Sequence, residues 1–226
     1  MGQIRKQRYK QMPWLQIFSC LLLLFSTDIF AIDLFKKLVD GNLRFVNNTP
    51  AESNLSPEAR KALAAGQTPF ATIVACSDSR VAPEIIFDQG AGELFVVRLA
   101  GNTVDEFAFA SIEYGVSYLK TPLLIVMGHA HCGAVEAAFN LNEGKFSPEL
   151  TKLLKNIEPA VKQAIQQNPG KSKEALLNAA IRLNVHRVQK KIFNRIPAIE
   201  KLQKHGRLNV KSAVFEFDTG KVYWMD

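Results

Sequence analysis

The chain has 226 residues, 47% hydrophobic and 22% charged, with no low-complexity tract and no internal repeat. That is enough for one α/β domain with a substantial core, and it excludes a disordered chain or two full domains. The formal charge of +7 suggests an anionic partner, but four of the 28 basic and one of the 21 acidic residues lie in positions 1–31. The remaining excess of four is scattered, without the basic stripe interleaved with aromatics that single-stranded nucleic acid requires, so no nucleic-acid partner is expected.

In chain order, the basic residues Arg5, Lys6, Arg8 and Lys10 precede an apolar run at 14–25, broken only by Gln16 and Ser19. This pattern resembles an export signal, with 26–31 offering a cleavage site after Ala31. Residues 1–31 are therefore read as a signal peptide, and 32–226 as the working domain of a periplasmic or secreted protein. About a dozen apolar residues fall short of the roughly 20 that a membrane span needs. An uncleaved leader is the alternative, and the only route to a membrane.

Over 33–47, Leu34, Phe35, Leu38, Phe45 and Val46 recur at helical spacing. Ser56-Pro57-Glu58 reads as a helix start and Gly66 as its stop. Three short runs at 71–75, 94–97 and 123–127 read as buried strands. Between the last two, 103–119 is helical, with Thr103-x-x-Glu106 as a capping box. Residues 134–204 read as mostly helical, with breaks near 144–148 and 169–170. At the end, 213–217 and 221–224 flank Asp218-Thr219-Gly220 as a hairpin. The expected fold is α/β: four parallel strands plus an antiparallel edge strand, flanked by helices, with an N-terminal arm helix.

In a parallel sheet, ligands bind at the carboxyl ends of the strands. Cys76 follows the first run; His129 and Cys132 follow the third. Two thiolates and an imidazole make a zinc site with a fourth position open to water. A closed structural zinc site, or a disulfide between the two cysteines of an exported domain, remains open on this ligand count. Asp78 and Arg80 argue for catalysis, because a carboxylate beside the metal accepts from its water and an arginine holds that carboxylate ionised.

Cys76-Ser77-Asp78-Ser79-Arg80-Val81-Ala82-Pro83-Glu84, Leu94 through Arg98, Ala100-Gly101-Asn102, Ile112-Glu113-Tyr114, Gly128-His129 and Cys132-Gly133-Ala134 together resemble the β-class carbonic anhydrases. Weaker echoes lie at 41–45 and 217–222, so the resemblance spans nearly all of 33–226. It implies one Zn(II) per subunit on Cys76, His129 and Cys132, with Asp78 and Arg80 as the catalytic pair. The activity implied is a carbonate dehydratase's reversible hydration of CO2 to bicarbonate and a proton by zinc-bound hydroxide. Asp78 would become a fourth ligand in the family's closed state. Gln67, Phe95, Ala100, Gly133 and a partner subunit's Tyr114 would line the substrate pocket, in a homodimer or dimer-based homotetramer whose arm helices, at 33–47, embrace the partner.

Two positions depart from the family pattern. His131 stands where a small residue is usual and is a candidate proton shuttle. Ile73 stands where bicarbonate-inhibited members carry tryptophan, so that switch is not expected. Two rival functions share these residues: a CS2 or COS hydrolase on the same fold, and a non-catalytic, zinc-stabilised binding module.

Overall fold

The computed structural model describes residues 33–51, 56–141 and 143–225. The leader and its cleavage site lie outside the described residues. Among the described residues, no helix is long and apolar enough to cross a membrane.

Strands β1 (Ala71–Ala75), β2 (Leu94–Arg98), β3 (Leu123–His129), β4 (Asn209–Phe215) and β5 (Val222–Met225) form one sheet in the order β2-β1-β3-β4-β5. The first four strands are mutually parallel, and β5 runs antiparallel to β4. Every residue of β1 and β3 is buried. Strands covered on both faces are mostly apolar, which is why they read as near-continuous Val/Ile/Leu runs, and the buried Thr72 is paired with Thr121. Burial of each such side chain contributes roughly 1.5–3 kcal/mol.

On one face, α4 (Glu106–Glu113), α5 (Gly133–Phe139), α6 (Pro148–Gln167), α7 (Lys173–Arg195) and α8 (Pro197–Lys204) enclose a core containing Val126, Leu154, Ile157, Val185 and Ile192. On the other, helix α1 (33–46) and α3 (Pro83–Ile86) cover Ile73, Ile125, Met127 and Phe215. The short α2 (Pro57–Leu63) leads into β1.

The expected arm, α1, lies against the chain's own sheet. Leu38 is fully buried in that contact. Asn42 donates to the carbonyls of Ile86 and Gly220 and accepts from the Val222 N–H. The outward side of α1 leaves Val39 and Leu43 exposed.

Several boundaries differ from expectation for local reasons. Ser56 caps α2 as expected, its hydroxyl accepting from the Ala59 N–H at 3.2 Å, but the helix ends at Leu63 with Ala64 rather than Gly66 as its cap. The cap of α4 is Asp105, which accepts from the Ala108 N–H at 2.8 Å. Thr103 instead closes a tight turn at Ala100–Asn102, donating through its hydroxyl to the Ala100 carbonyl. After Glu113 the chain widens into a π-turn, Tyr114–Tyr118. Pro197 breaks the last helical stretch, separating α7 from α8. The final hairpin is wider than expected: β4 stops at Phe215 and β5 starts at Val222.

Candidate metal centre

The register of the sheet puts the functional groups at one end. Ala75 of β1 pairs with Arg98 of β2, and β3 ends at His129. Cys76 leaves β1 at that edge, and Cys132 is the residue from which α5 departs. One ligand atom from each of Cys76, His129 and Cys132 lies within 4.8 Å of the others, and all three residues are buried. Tetrahedral zinc with sulfur and nitrogen ligands needs separations of about 3.5–3.8 Å, so small side-chain adjustments close the set on one ion.

The hydrogen bonds assign the donor atoms. His129 Nδ1 lies 2.9 Å from the Ala130 carbonyl, which accepts its proton and leaves Nε2 with the lone pair. Nε2 is buried and has no hydrogen-bond partner. A buried, unpartnered imidazole lone pair beside two sulfurs is costly unless something electrophilic meets it, and a divalent cation does. Cys76 Sγ accepts from the Gly101 N–H at 3.1 Å and from the Asp78 N–H at 3.4 Å. The Cys76 thiol is pulled well below its usual range, first by a hydrogen bond from Cys132, against the opposing effect of burial, and then by His129. Cys132 is pushed up by the neighbouring Cys76 sulfur and by burial. A cation held between the two sulfurs displaces their protons and leaves both as thiolates. Both cysteines are free thiols.

Asp78 borders this cluster. Its Oδ1 accepts from the Arg80 backbone N–H at 3.0 Å, and its Oδ2 lies 3.8 Å from His129 Nε2. The Arg80 side chain, bonded to both oxygens, holds the carboxyl far below the ordinary range. Arg80 also points Nη2 at the His131 carbonyl, 3.4 Å away, and lays its guanidinium 4.2 Å from the Phe217 ring centre.

Three supporting residues were not assigned from sequence. Arg98 donates to the carbonyls of Cys76 (2.9 Å) and Asp78 (2.7 Å), fixing the loop that carries both. Its signal was legible: it is the one charge closing an apolar strand. Gly101 supplies the amide to Cys76 from a left-handed turn, and buried Asn184 holds that turn by donating to the Gly101 carbonyl at 2.8 Å.

The other candidate pocket residues are more dispersed. Ala100 opens the Gly101 turn, and Gly133 follows Cys132 at the exposed start of α5. His131 is exposed, at φ 51°. Gln67 is exposed ahead of β1, and the Phe95 ring lies 6.0 Å from that of Tyr114, itself 46% exposed. Among the described residues, no hydrogen bond or ring contact joins Gln67, Phe95 or Tyr114 to the sulfur–imidazole cluster within this single chain.

Comparison with known proteins agrees with this geometry. The family model described as carbonic anhydrase matches residues 71–222. Carbonic anhydrase 2 of Mycobacterium tuberculosis is 37% identical over 194 residues, covering 85% of this chain and 91% of that protein. The carbonic anhydrase of Pseudomonas aeruginosa is 34% identical over 198 residues, covering 84% and 87%. Among solved structures, the β-carbonic anhydrase CcaA superposes with a TM-score of 0.70 at 29% identity over 75% of this chain and 85% of that one. A structure from a study of two tetrameric β-carbonic anhydrases of Sordaria macrospora gives 0.69 at 25% identity, covering 75% and 87%. With the sulfur–imidazole cluster at the strand ends and the arginine-clamped carboxylate beside it, these likenesses converge: the chain belongs to the carbonic anhydrases, in their β class.

Proposed function

We propose that the chain catalyses the reversible hydration of CO2 to bicarbonate and a proton, using one zinc ion per subunit held by Cys76, His129 and Cys132. The observation that carries this reading is the unpartnered, buried Nε2 of His129 facing two sulfurs, with an ionised carboxylate 3.8 Å away. Bound zinc supplies a Lewis acid that brings the ionisation of water from 15.7 toward about 7. Asp78, anionic and fixed by Arg80, accepts a hydrogen from the attacking water and aims its lone pair at the carbon of CO2. While Arg80 bonds both of its oxygens, Asp78 is kept from taking a metal coordination position itself. Exposed His131, at the rim, is the candidate group for handing the released proton to solvent.

The substrate pocket is completed by a second copy of the chain. β2 is an open sheet edge, and beside it Phe107, Tyr114 and Tyr118 are large and exposed. An open edge flanked by exposed aromatics is an interface in waiting. In the dimer, or a tetramer built from two dimers, Phe95, Ala100, Gly133 and Gln67 of one subunit face Tyr114 of the other across the pocket, and α1 uses Val39 and Leu43 against the partner. Residues 1–31 act as an export signal, so that the catalytic domain 32–226 works in the periplasm or outside the cell. The basic start and short apolar run support this.

Stopped-flow CO2 hydration by protein beginning near Ile32, with zinc measured on the same sample, tests the reading. Activity proportional to zinc supports it. Stoichiometric zinc without CO2 hydration would leave the CS2 or COS hydrolase and the zinc-stabilised module, which turnover of CS2 or COS then separates.

A further inference from the structure

Phe217 lies two residues beyond β4, at the same carboxyl edge of the sheet as the metal cluster. Its ring meets two groups of the site at once. The Arg80 guanidinium carbon sits 4.2 Å from the ring centre. The His129 imidazole stands edge-on to it, with centroids 5.5 Å apart and planes at 72°. Behind it, the buried Phe215 ring packs at 5.2 Å and 83°, which anchors Phe217 to the core under α1 and α3.

Arg80 needs such an anchor. Its side chain is 52% exposed, and its other contacts are Asp78 and a long bond to the His131 carbonyl. An arginine half in water samples many rotamers, and only one guanidinium plane presents Nε and Nη2 together to both carboxylate oxygens. A flat aromatic face at van der Waals distance selects that plane and attracts the cation through the ring quadrupole.

We propose that Phe217 is a positioning residue for the reaction: its ring fixes the plane of the Arg80 guanidinium, and through it the Asp78 carboxylate, relative to the His129 imidazole. A leucine at this position fills most of the volume and packs on Phe215, but offers no face to the cation. Tyrosine keeps the face. In its kinetic part this inference rests on the proposed CO2 hydration; in its structural part it does not.

The test compares the zinc-loaded protein with Phe217→Leu and Phe217→Tyr. We expect kcat/KM for CO2 hydration to fall about three- to tenfold in Phe217→Leu and to recover in Phe217→Tyr to within about twofold of the parent. Zinc should remain at one per chain throughout. Solvent exchange of the Arg80 Nε–H, followed by NMR, should quicken by about fivefold or more in the leucine variant alone. In an Arg80→Ala background, the leucine penalty should shrink to less than about twofold, because the group it acts through is gone. If leucine prevents folding, Phe217→Met carries the same expectations. An unchanged rate and unchanged Arg80 exchange in the leucine variant would overturn the proposal. So would equal losses in the leucine and tyrosine variants, or an undiminished penalty without Arg80. A parent enzyme without CO2 hydration would count against the reaction, while the Arg80 exchange would still decide the role of Phe217.

Discussion

Arg80 meets Asp78 as a two-pronged fork, Nε to Oδ1 at 2.9 Å and Nη2 to Oδ2 at 2.8 Å. Neither oxygen is free to turn inward without breaking a charge-assisted bond, yet Oδ2 is within 3.8 Å of the imidazole nitrogen that faces the metal position. The carboxylate therefore borders the site without entering it.

From this follows the behaviour of Asp78→Asn. The amide has the shape but not the charge, and it must point an NH2 group at one prong of the fork. We expect kcat/KM to drop about 100-fold or more with zinc retained at one per chain. Arg80→Lys, a point charge that cannot bond both oxygens at once, should cost about tenfold. Stopped-flow hydration with parallel metal analysis reads both, and full activity in Asp78→Asn would refute the assigned role.

Metal and thiols should protect one another. Cys132→Ser and His129→Ala should each retain less than about a tenth of the zinc and lose hydration in proportion. In chelated protein the two sulfurs, free and within 4.8 Å of the imidazole and each other, should disappear from thiol titration under mild oxidant. The zinc form should keep them. Equal rates in the two forms would argue against shared coordination.

A second ion pair, remote from the metal, predicts how stability responds to acid. Asp88 accepts from Arg44 and from the Ala51 N–H, with its side chain only 6% exposed. Burial raises the carboxyl, but the amide and the guanidinium together outweigh it, and its pKa is lowered. A depressed folded value means the stabilisation is complete above the unfolded value near 4 and is lost as pH falls further. Asp88→Asn should cost roughly 1–2 kcal/mol at pH 7. Urea unfolding of parent and variant should show a constant gap from pH 8 to about 5, closing below about 4. A gap that widens in acid would contradict the assignment.

Tyr118 is 74% exposed and stacked on Tyr114 beside the open β2 edge. Tyr118→Glu should place a charge in the proposed dimer contact and shift sedimentation equilibrium toward single chains, with a matching loss of hydration. An unchanged association state would move the interface elsewhere on the molecule.

Much of this was legible in the residues. β1 and β3 announce themselves because strands buried on both faces are dominated by apolar side chains, and Cys76, Asp78, Arg80, His129 and Cys132 stand at their ends in a readable order. What sequence alone did not supply depends on where the chain turns. Thr103 looked like the cap of α4, but the left-handed Gly101, at φ 64°, carries the chain through a tight turn that Thr103 closes, and the cap falls to Asp105. Phe217 read as the last residue of the strand 213–217, since nothing in that run shows that the strand ends two positions earlier and delivers the ring to Arg80. The orientation of α1 was equally hidden: its two apolar sides, Leu38 and Val39 with Leu43, follow the same helical spacing, and only packing decides which one meets its own sheet.

Gly101 joins two parts of the molecule that otherwise look independent. Any side chain there would begin 2.6 Å from Ile157 Cδ1 of α6, while its N–H is the donor to the Cys76 sulfur. Pushing the helix away would tilt that amide and return electron density to the thiolate, making it a stronger donor to the metal and water on that metal a weaker acid. The helical layer and the sulfur cluster thus meet at one residue, and replacing Gly101 with alanine should be felt in the pH profile of hydration as well as in the melting temperature.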